Sequence, residues 1–235
     1  MKLCILENDV LDAELAARFS GFGDMFRRML AAAGADWTVE VFNTVQGDYP
    51  ASFEDFDAVL LTGSKADSFS QEPWVLALRQ QVEQLLQAKK KLLGVCFGHQ
   101  LIALCLGAEV GRAPQGWGAG RMRYQWHAPQ WAQAQGRTDI ALLASHQDQV
   151  VALPRGATLL ASSEFCPVAA FTVDQHVLCV QPHPEFVEEL SAYLLNKRRA
   201  LLGEDQYGAA TDSLALGHDG LHMARMMVAF IEGNL

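Results

Sequence analysis

Four short runs near the start of the chain are apolar over most of their length: LCILE (3–7), WTVEVFN (37–43), AVLLTG (58–63) and LLGVC (92–96). Helical patterns alternate with them. Between the first two runs, Phe22, Met25, Phe26, Met29, Leu30 and Ala33 recur at the spacing of one helical face. Val75, Leu78, Val82, Leu85 and Leu86 repeat that spacing between the third and fourth, and a further helix is predicted from Cys96 to about Leu106. A strand without a polar face must be covered on both sides. The alternation therefore predicts an α/β fold, doubly wound, with a mostly parallel central sheet and helices on both faces.

From 108 to 181 the pattern changes to short strand-like runs separated by turn residues: RMRYQW, TDIALL, ATLLASS, VAAFTV and HVLCVQ. These predict a smaller, partly antiparallel insert. Helices return after 185, one carrying Phe186, Leu190, Tyr193 and Leu194, the last carrying Met223, Met226, Met227, Phe230 and Ile231. That last stripe is expected to be core or a subunit contact rather than a ligand groove, which leaves a homodimer open. The expectation is a single domain over 1–235 with a helical C-terminal extension at about 188–235.

Charge narrows the function classes. The formal net charge is −9, and the only basic runs are KKK at 89–91 and KRR at 197–199. A nucleic-acid partner would require a basic face, so none is expected, and both runs read as solvated helix ends. The start, MKLCILENDV, has no signal-peptide core, and no stretch has the length of a membrane span. Cysteines 4, 96, 105, 166 and 179 form no CxxC pair. Free thiols in a reducing, cytoplasmic location are expected, with no membrane partner.

One cysteine stands apart. In Gly94-Val95-Cys96-Phe97-Gly98 it falls where a buried strand ends and a helix begins, with glycine two positions away on each side. A sharp strand-to-helix turn strains its apex residue and brings its arms together, so side chains at those two positions would collide. The apex then projects above the carboxyl edge of the sheet, where open α/β folds bind ligands. A helix N-terminus also favours a thiolate, and the Phe97 N–H would serve as an oxyanion donor.

A nucleophile needs a base. Of the seven histidines, His183 ends the apolar strand of HVLCVQPHPE between Pro182 and Pro184, which stop the strand and restrict the backbone. Glu185 is placed to orient the imidazole by accepting its other N–H. Nucleophile, base and orienting carboxylate are then all present.

LLTGS (60–64), GVCFGHQ (94–100), SHQDQV (145–150) and QPHPE (181–185) resemble, in order and spacing, the motifs of class I glutamine amidotransferases of the Cys-His-Glu type. The likeness is especially to the glutaminase domain of GMP synthase, and implies a flavodoxin-like α/β fold. It implies Cys96 as nucleophile, His183 as base and acid, and Glu185 as orienting carboxylate. Gly63 and Ser64 would supply the second oxyanion N–H beside Phe97. Gln100 and the loop Ser145–Asp148, with His146, Gln147 and Asp148, would contact the substrate. Two positions depart from the pattern: Lys65 replaces a usual proline, and Gln147 a glycine. In the latter loop the chain is also similar to plant-type γ-glutamyl peptidases, which cleave γ-glutamyl amides larger than glutamine.

The implied activity is hydrolysis of the γ-amide of glutamine, a small-molecule substrate, to glutamate and ammonia through a γ-glutamyl thioester. Hydrolysis of glutathione-like γ-glutamyl compounds is the alternative. No phosphate-binding G-x-x-x-x-G-K-[ST] loop appears, so any synthetase that uses the ammonia would be a separate subunit; an amidase active only with that subunit is the second alternative. No cofactor is expected. His218-Asp219-Gly220-Leu221-His222 imitates a zinc motif, but aspartate replaces the longer glutamate and glycine weakens the helix, so no metal is expected either. In α/β-hydrolases the acid precedes the histidine in the chain; here Glu185 follows it.

Overall fold

The computed structural model describes residues 1–128 and 137–234; residues 129–136 and 235, which fall inside the expected single domain, lie outside them. The strands are β1 (Lys2–Glu7), β2 (Thr38–Asn43), β3 (Ala58–Leu61), β4 (Lys91–Val95), β5 (Val110–Arg112), β6 (Gly118–Trp126), β7 (Asp139–His146), β8 (Asp148–Val150), β9 (Thr158–Ser162), β10 (Ala170–Val173) and β11 (Val177–Val180). The helices are α1 (Ala13–Phe19), α2 (Phe22–Ala32), α3 (Pro73–Gln87), α4 (Phe97–Cys105), α5 (Glu188–Leu202), α6 (Glu204–Ser213) and α7 (Gly220–Glu232).

Nine strands form one sheet in the order β2-β1-β3-β4-β11-β10-β9-β6-β7. From β2 to β11 the pairing is parallel; from β11 to β7 it is antiparallel. The antiparallel strands thus extend the parallel sheet, and among the described residues only β5 and β8 pair separately. The expected doubly wound α/β architecture is present, and it sets β4 and β11 side by side with both carboxyl ends at one edge.

Alternation along β1 shows why both faces are covered. Leu3 and Ile5 point into a cluster with Phe26 and Leu30 of α2 and Met223, Met227 and Phe230 of α7. Cys4 and Leu6 point the other way, among Val75, Leu78 and Val82 of α3 and Leu101 and Ile102 of α4. Each such side chain contributes about 1.5–3 kcal/mol when fully buried. The methionine and phenylalanine stripe of α7 is accordingly core. A third cluster packs α1, α5 and α6 against Leu143 of β7 and includes Phe22, Phe186 and Leu190.

Some elements differ from the sequence expectation. Helix α5 begins at Glu188, so Phe186 precedes it rather than lying on its face. Helix α6 buries only Ala210, too little for an apolar period to show. Lys91, from the KKK run, donates to the Phe230 and Ile231 carbonyls (3.0 and 2.7 Å) and caps α7. Among the described residues no helix is long and apolar enough to cross a membrane.

Candidate active site

Strand β4 delivers Cys96 with φ 51° and ψ −102°, a conformation that costs strain in any residue but glycine. The surroundings hold it there. The Cys96 N–H donates to the Val180 carbonyl at 3.0 Å, tying the turn to the end of β11. A Cβ on Gly94 would lie 2.7 Å from the Gly98 carbonyl, and one on Gly98 would lie 2.5 Å from the Leu61 oxygen and 2.7 Å from the Leu61 Cβ. Gly94 lets the two arms of the turn close; Gly98 lets α4 lie against β3. Phe97 is the first residue of α4, where an N–H has no intrahelical acceptor.

His183 follows β11 and is fixed across the sheet, its N–H donating to the Leu143 carbonyl at 2.8 Å. Its Nδ1 lies 2.8 Å from Glu185 Oε1, with both side chains buried. The Phe186 ring stacks on the imidazole at 3.8 Å and 15°. Burial disfavours the imidazolium. The charge of Glu185 and the charge of Cys96, with side-chain hydrogen bonds to both, outweigh it and bring the His183 pKa up to about 10. Gly63 completes the contact: a Cβ there would sit 2.8 Å from His183 Cε1 and 3.5 Å from Cys96 Cβ. Cys96, His183, Glu185 and Gly63 are therefore contiguous.

The loop after β3 is held by the loop after β1. Asn8 donates its backbone N–H to Thr62 Oγ1 and its side-chain amide to the Thr62 carbonyl, both at 2.9 Å. Asp9 takes the Lys65 backbone N–H at 2.9 Å and the Lys65 ammonium at 3.0 Å. A proline at 65 would have no N–H to give. Here the loop carrying Gly63 and Ser64 is held by an ion pair instead of a ring.

The residues assigned to substrate contact are placed less uniformly. Gln100 is buried, and its amide donates to the Asp148 carbonyl (2.9 Å) and Gln181 Oε1 (3.2 Å), which braces the loop around 148. His146 is buried and held largely neutral, its pKa lowered to about 4 by burial. Asp148 pairs with Arg112 at 2.9 Å; burial, against the opposing Arg112 charge, raises its carboxyl pKa to about 6. Gln147 is half-buried, and its carbonyl accepts from the Ala113 N–H at 2.8 Å.

A cleft of about 250 Å³ opens beside His183, Gly63, Ser64 and Lys65, between the 9–12 segment and α5. Ser145, which opens the SHQDQV run, is among its walls, whereas Cys96, Gln100, His146, Gln147 and Asp148 are not. Asp9, Phe186 and Arg198 were not singled out as site residues from the sequence. Asp9 had the signal of position, just past the carboxyl end of β1, and Phe186 that of following His-Pro-Glu. Arg198 was hidden inside a basic run read as solvated. His218 precedes α7 and accepts the Gly220 N–H at 3.1 Å, so it and His222 do not share a helix face.

A family model described as glutamine amidotransferase class-I matches residues 19–198. Gamma-glutamyl peptidase 3 of Arabidopsis thaliana is 33% identical over 189 residues, covering 76% of this chain and 75% of the relative. GMP synthase [glutamine-hydrolyzing] of Caldicellulosiruptor saccharolyticus is 37% identical over 99 residues, 41% of this chain and 19% of that protein. The crystal structure of a glutamine amidotransferase from Thermotoga maritima matches with a TM-score of 0.78, covering 99% of this chain and 98% of that one. Its identity is 18%, so that likeness speaks for the fold.

Proposed function

The chain belongs to the class I glutamine amidotransferase family, and on that premise we propose that it is a cysteine-dependent hydrolase of γ-glutamyl amide bonds whose leaving group is larger than ammonia. The observation that carries this reading is the cleft of about 250 Å³ against His183 and Gly63. Ammonia needs no such space, whereas an amino acid or short peptide does. The similarity to a γ-glutamyl peptidase over three quarters of the chain supports the same choice.

In the proposed cycle, Cys96 Sγ attacks the γ-carbonyl carbon of the glutamyl group. The carbonyl oxygen takes up negative charge beside the N–H groups of Phe97 and of Gly63 or Ser64; losing one such donor typically raises a barrier by about 2.7–4 kcal/mol. His183, protonated at neutral pH because its pKa stands near 10, gives its proton to the departing nitrogen. The C–N bond breaks, the amine leaves, and a γ-glutamyl thioester remains on Cys96. His183 is now neutral. It accepts a proton from water as the water oxygen attacks the thioester carbon, and the C–S bond breaks to release glutamate. Glu185 holds the ring through Nδ1, presenting the other nitrogen to Cys96 and substrate. Gln100, His146, Gln147 and Asp148 are assigned to the glutamyl side of the substrate.

The second reading is glutamine hydrolysis, with ammonia passed to a separate synthetase subunit; the GMP synthase match favours it. Glutamate release from glutamine and from glutathione, with wild type and Cys96→Ala, separates the two. The proposal expects faster release from the peptide and none from Cys96→Ala. Faster turnover of glutamine would promote the second reading, and wild-type turnover by Cys96→Ala would remove Cys96 as nucleophile.

A further inference from the structure

Three cations stand on the wall of the cleft beside His183: Lys65, Lys197 and Arg198. Two are already neutralised. Lys65 is paired with Asp9 at 3.0 Å and Lys197 with Asp12. Arg198 is different. It is half-buried, its guanidinium lies over the Trp117 ring at 4.8 Å, and one of its nitrogens donates to the Leu194 carbonyl at 3.3 Å. Among the described residues it has no carboxylate partner within ion-pair distance. Both Cys96 and Asp9 are close enough for their charge to act on it.

A planar, half-desolvated guanidinium without a counter-ion is suited to bind a carboxylate through paired N–H donors. Stacking on Trp117 and the bond to Leu194 limit the rotamers it must give up on binding. Leu11, Leu15, Phe22, Phe186 and Leu194 give the cleft an apolar wall, and its polar side carries Asp9, Asp12, Ser64 and Ser145. The cleft touches His183, the proposed proton donor to the departing nitrogen, and meets the loop assigned to the glutamyl half only at Ser145, while Gln100, His146, Gln147 and Asp148 lie outside its walls. A ligand filling it would therefore be the departing amine.

We propose that Arg198 is a specificity-determining residue that binds the free α-carboxylate of the leaving group, so that the preferred substrates are γ-glutamyl amino acids or short peptides with an apolar residue against Phe22 and Phe186 and a free C-terminus. This rests on the hydrolase reading above and adds which amine is released.

The experiment compares γ-glutamyl-phenylalanine with γ-glutamyl-phenylalaninamide, which differ only in that terminal charge. For the wild type, kcat/KM is expected to favour the free acid by about 10- to 100-fold, the range of one charge-assisted bidentate contact. In Arg198→Met that ratio falls to near one, with the change carried mainly by KM, and Arg198→Lys recovers part of it. A wild-type ratio near one overturns the assignment without any variant, so a misfolded Arg198→Met does not protect it. A ratio that persists in folded Arg198→Met overturns it as well. If wild type hydrolyses neither peptide, the γ-glutamyl hydrolase reading itself fails. That outcome is distinct from turnover without discrimination, which removes Arg198 alone.

Discussion

Replacing Gly98 by alanine tests the turn that presents Cys96. The added methyl would stand 2.5 Å from the Leu61 oxygen and 2.7 Å from the Leu61 Cβ, where carbon atoms in contact ordinarily keep about 3.5–4.0 Å. Roughly 1 Å must be found, and the obstructing atoms belong to β3 itself rather than to the end of a flexible side chain. Overpacking of this kind costs about 1–3 kcal/mol. The gain in helix propensity on replacing glycine, about 1 kcal/mol, offsets part of it. Stability should therefore fall only modestly. Activity should fall further, because β3 leads into Gly63 and Ser64 while α4 starts with Phe97. Parting these elements separates the two oxyanion donors, and a misplacement of about 1 Å can cost on the order of 100-fold in rate. Thermal unfolding and steady-state turnover of a γ-glutamyl peptide, on the same preparation, give both numbers. Gly208→Ala in α6 is the control: nothing lies within 4 Å of its Cβ, so it should stabilise by about 0.5–1 kcal/mol and leave turnover unchanged. If Gly98→Ala keeps both the melting temperature and the turnover of wild type, the close approach of α4 and β3 does not position the site as argued.

His183 has a pKa near 10 in the folded chain against 6.5 in an ordinary environment. Its contribution to stability is therefore complete below about pH 6.5 and lost as pH rises toward 10. Glu185→Gln removes one of the two charges that raise it and should flatten that decline in urea unfolding at a series of pH values; parallel wild-type and variant curves would contradict the assignment. Asp9→Ala frees the Lys65 N–H and ammonium together, whereas Asp9→Asn keeps an acceptor for the N–H. Turnover should fall in the order wild type, Asp9→Asn, Asp9→Ala, and equal rates would show that this ion pair does not hold the loop. Phe186→Ala deletes a buried ring stacked on His183 and should cost about 3–5 kcal/mol in chemical denaturation. A loss under 1 kcal/mol would mean that the pocket refills around the imidazole.

Much of this was legible in one dimension because its causes are local. A strand buried on both faces has to be apolar throughout, so β1, β3, β4 and β11 announce themselves, as do the helices α2, α3 and α7 that bury a full stripe. The tight turn at Cys96 demands a small residue at 94, where a Cβ would meet the backbone of the turn itself, and two prolines around His183 end a strand in any context. The motifs in which those residues sit resemble one family, and the match over 19–198 places the chain in it.

Other features have no local cause. Helix α6 is held by the elements it lies beside and not by its own period. That the antiparallel strands continue the parallel sheet is a matter of edge pairing, in which β10 joins β11 at residues 170–173. The brace from Asp9 to Lys65 joins positions 56 apart in the chain, and the stack of Phe186 on His183 depends on where α5 starts. Arg198 is the sharpest case. Within KRR it is one of three neighbouring cations, chemically indistinguishable from a solvated helix end. Only the packing of α5 against Trp117 and the site turns it inward, while Lys197 meets Asp12 and Arg199 meets Glu204 outside. Sequence sets the chemistry that each residue carries and the local backbone that a turn will accept. Which charge is left without a counter-ion on the cleft beside His183 depends on distances between remote segments, and those exist only once the sheet is assembled.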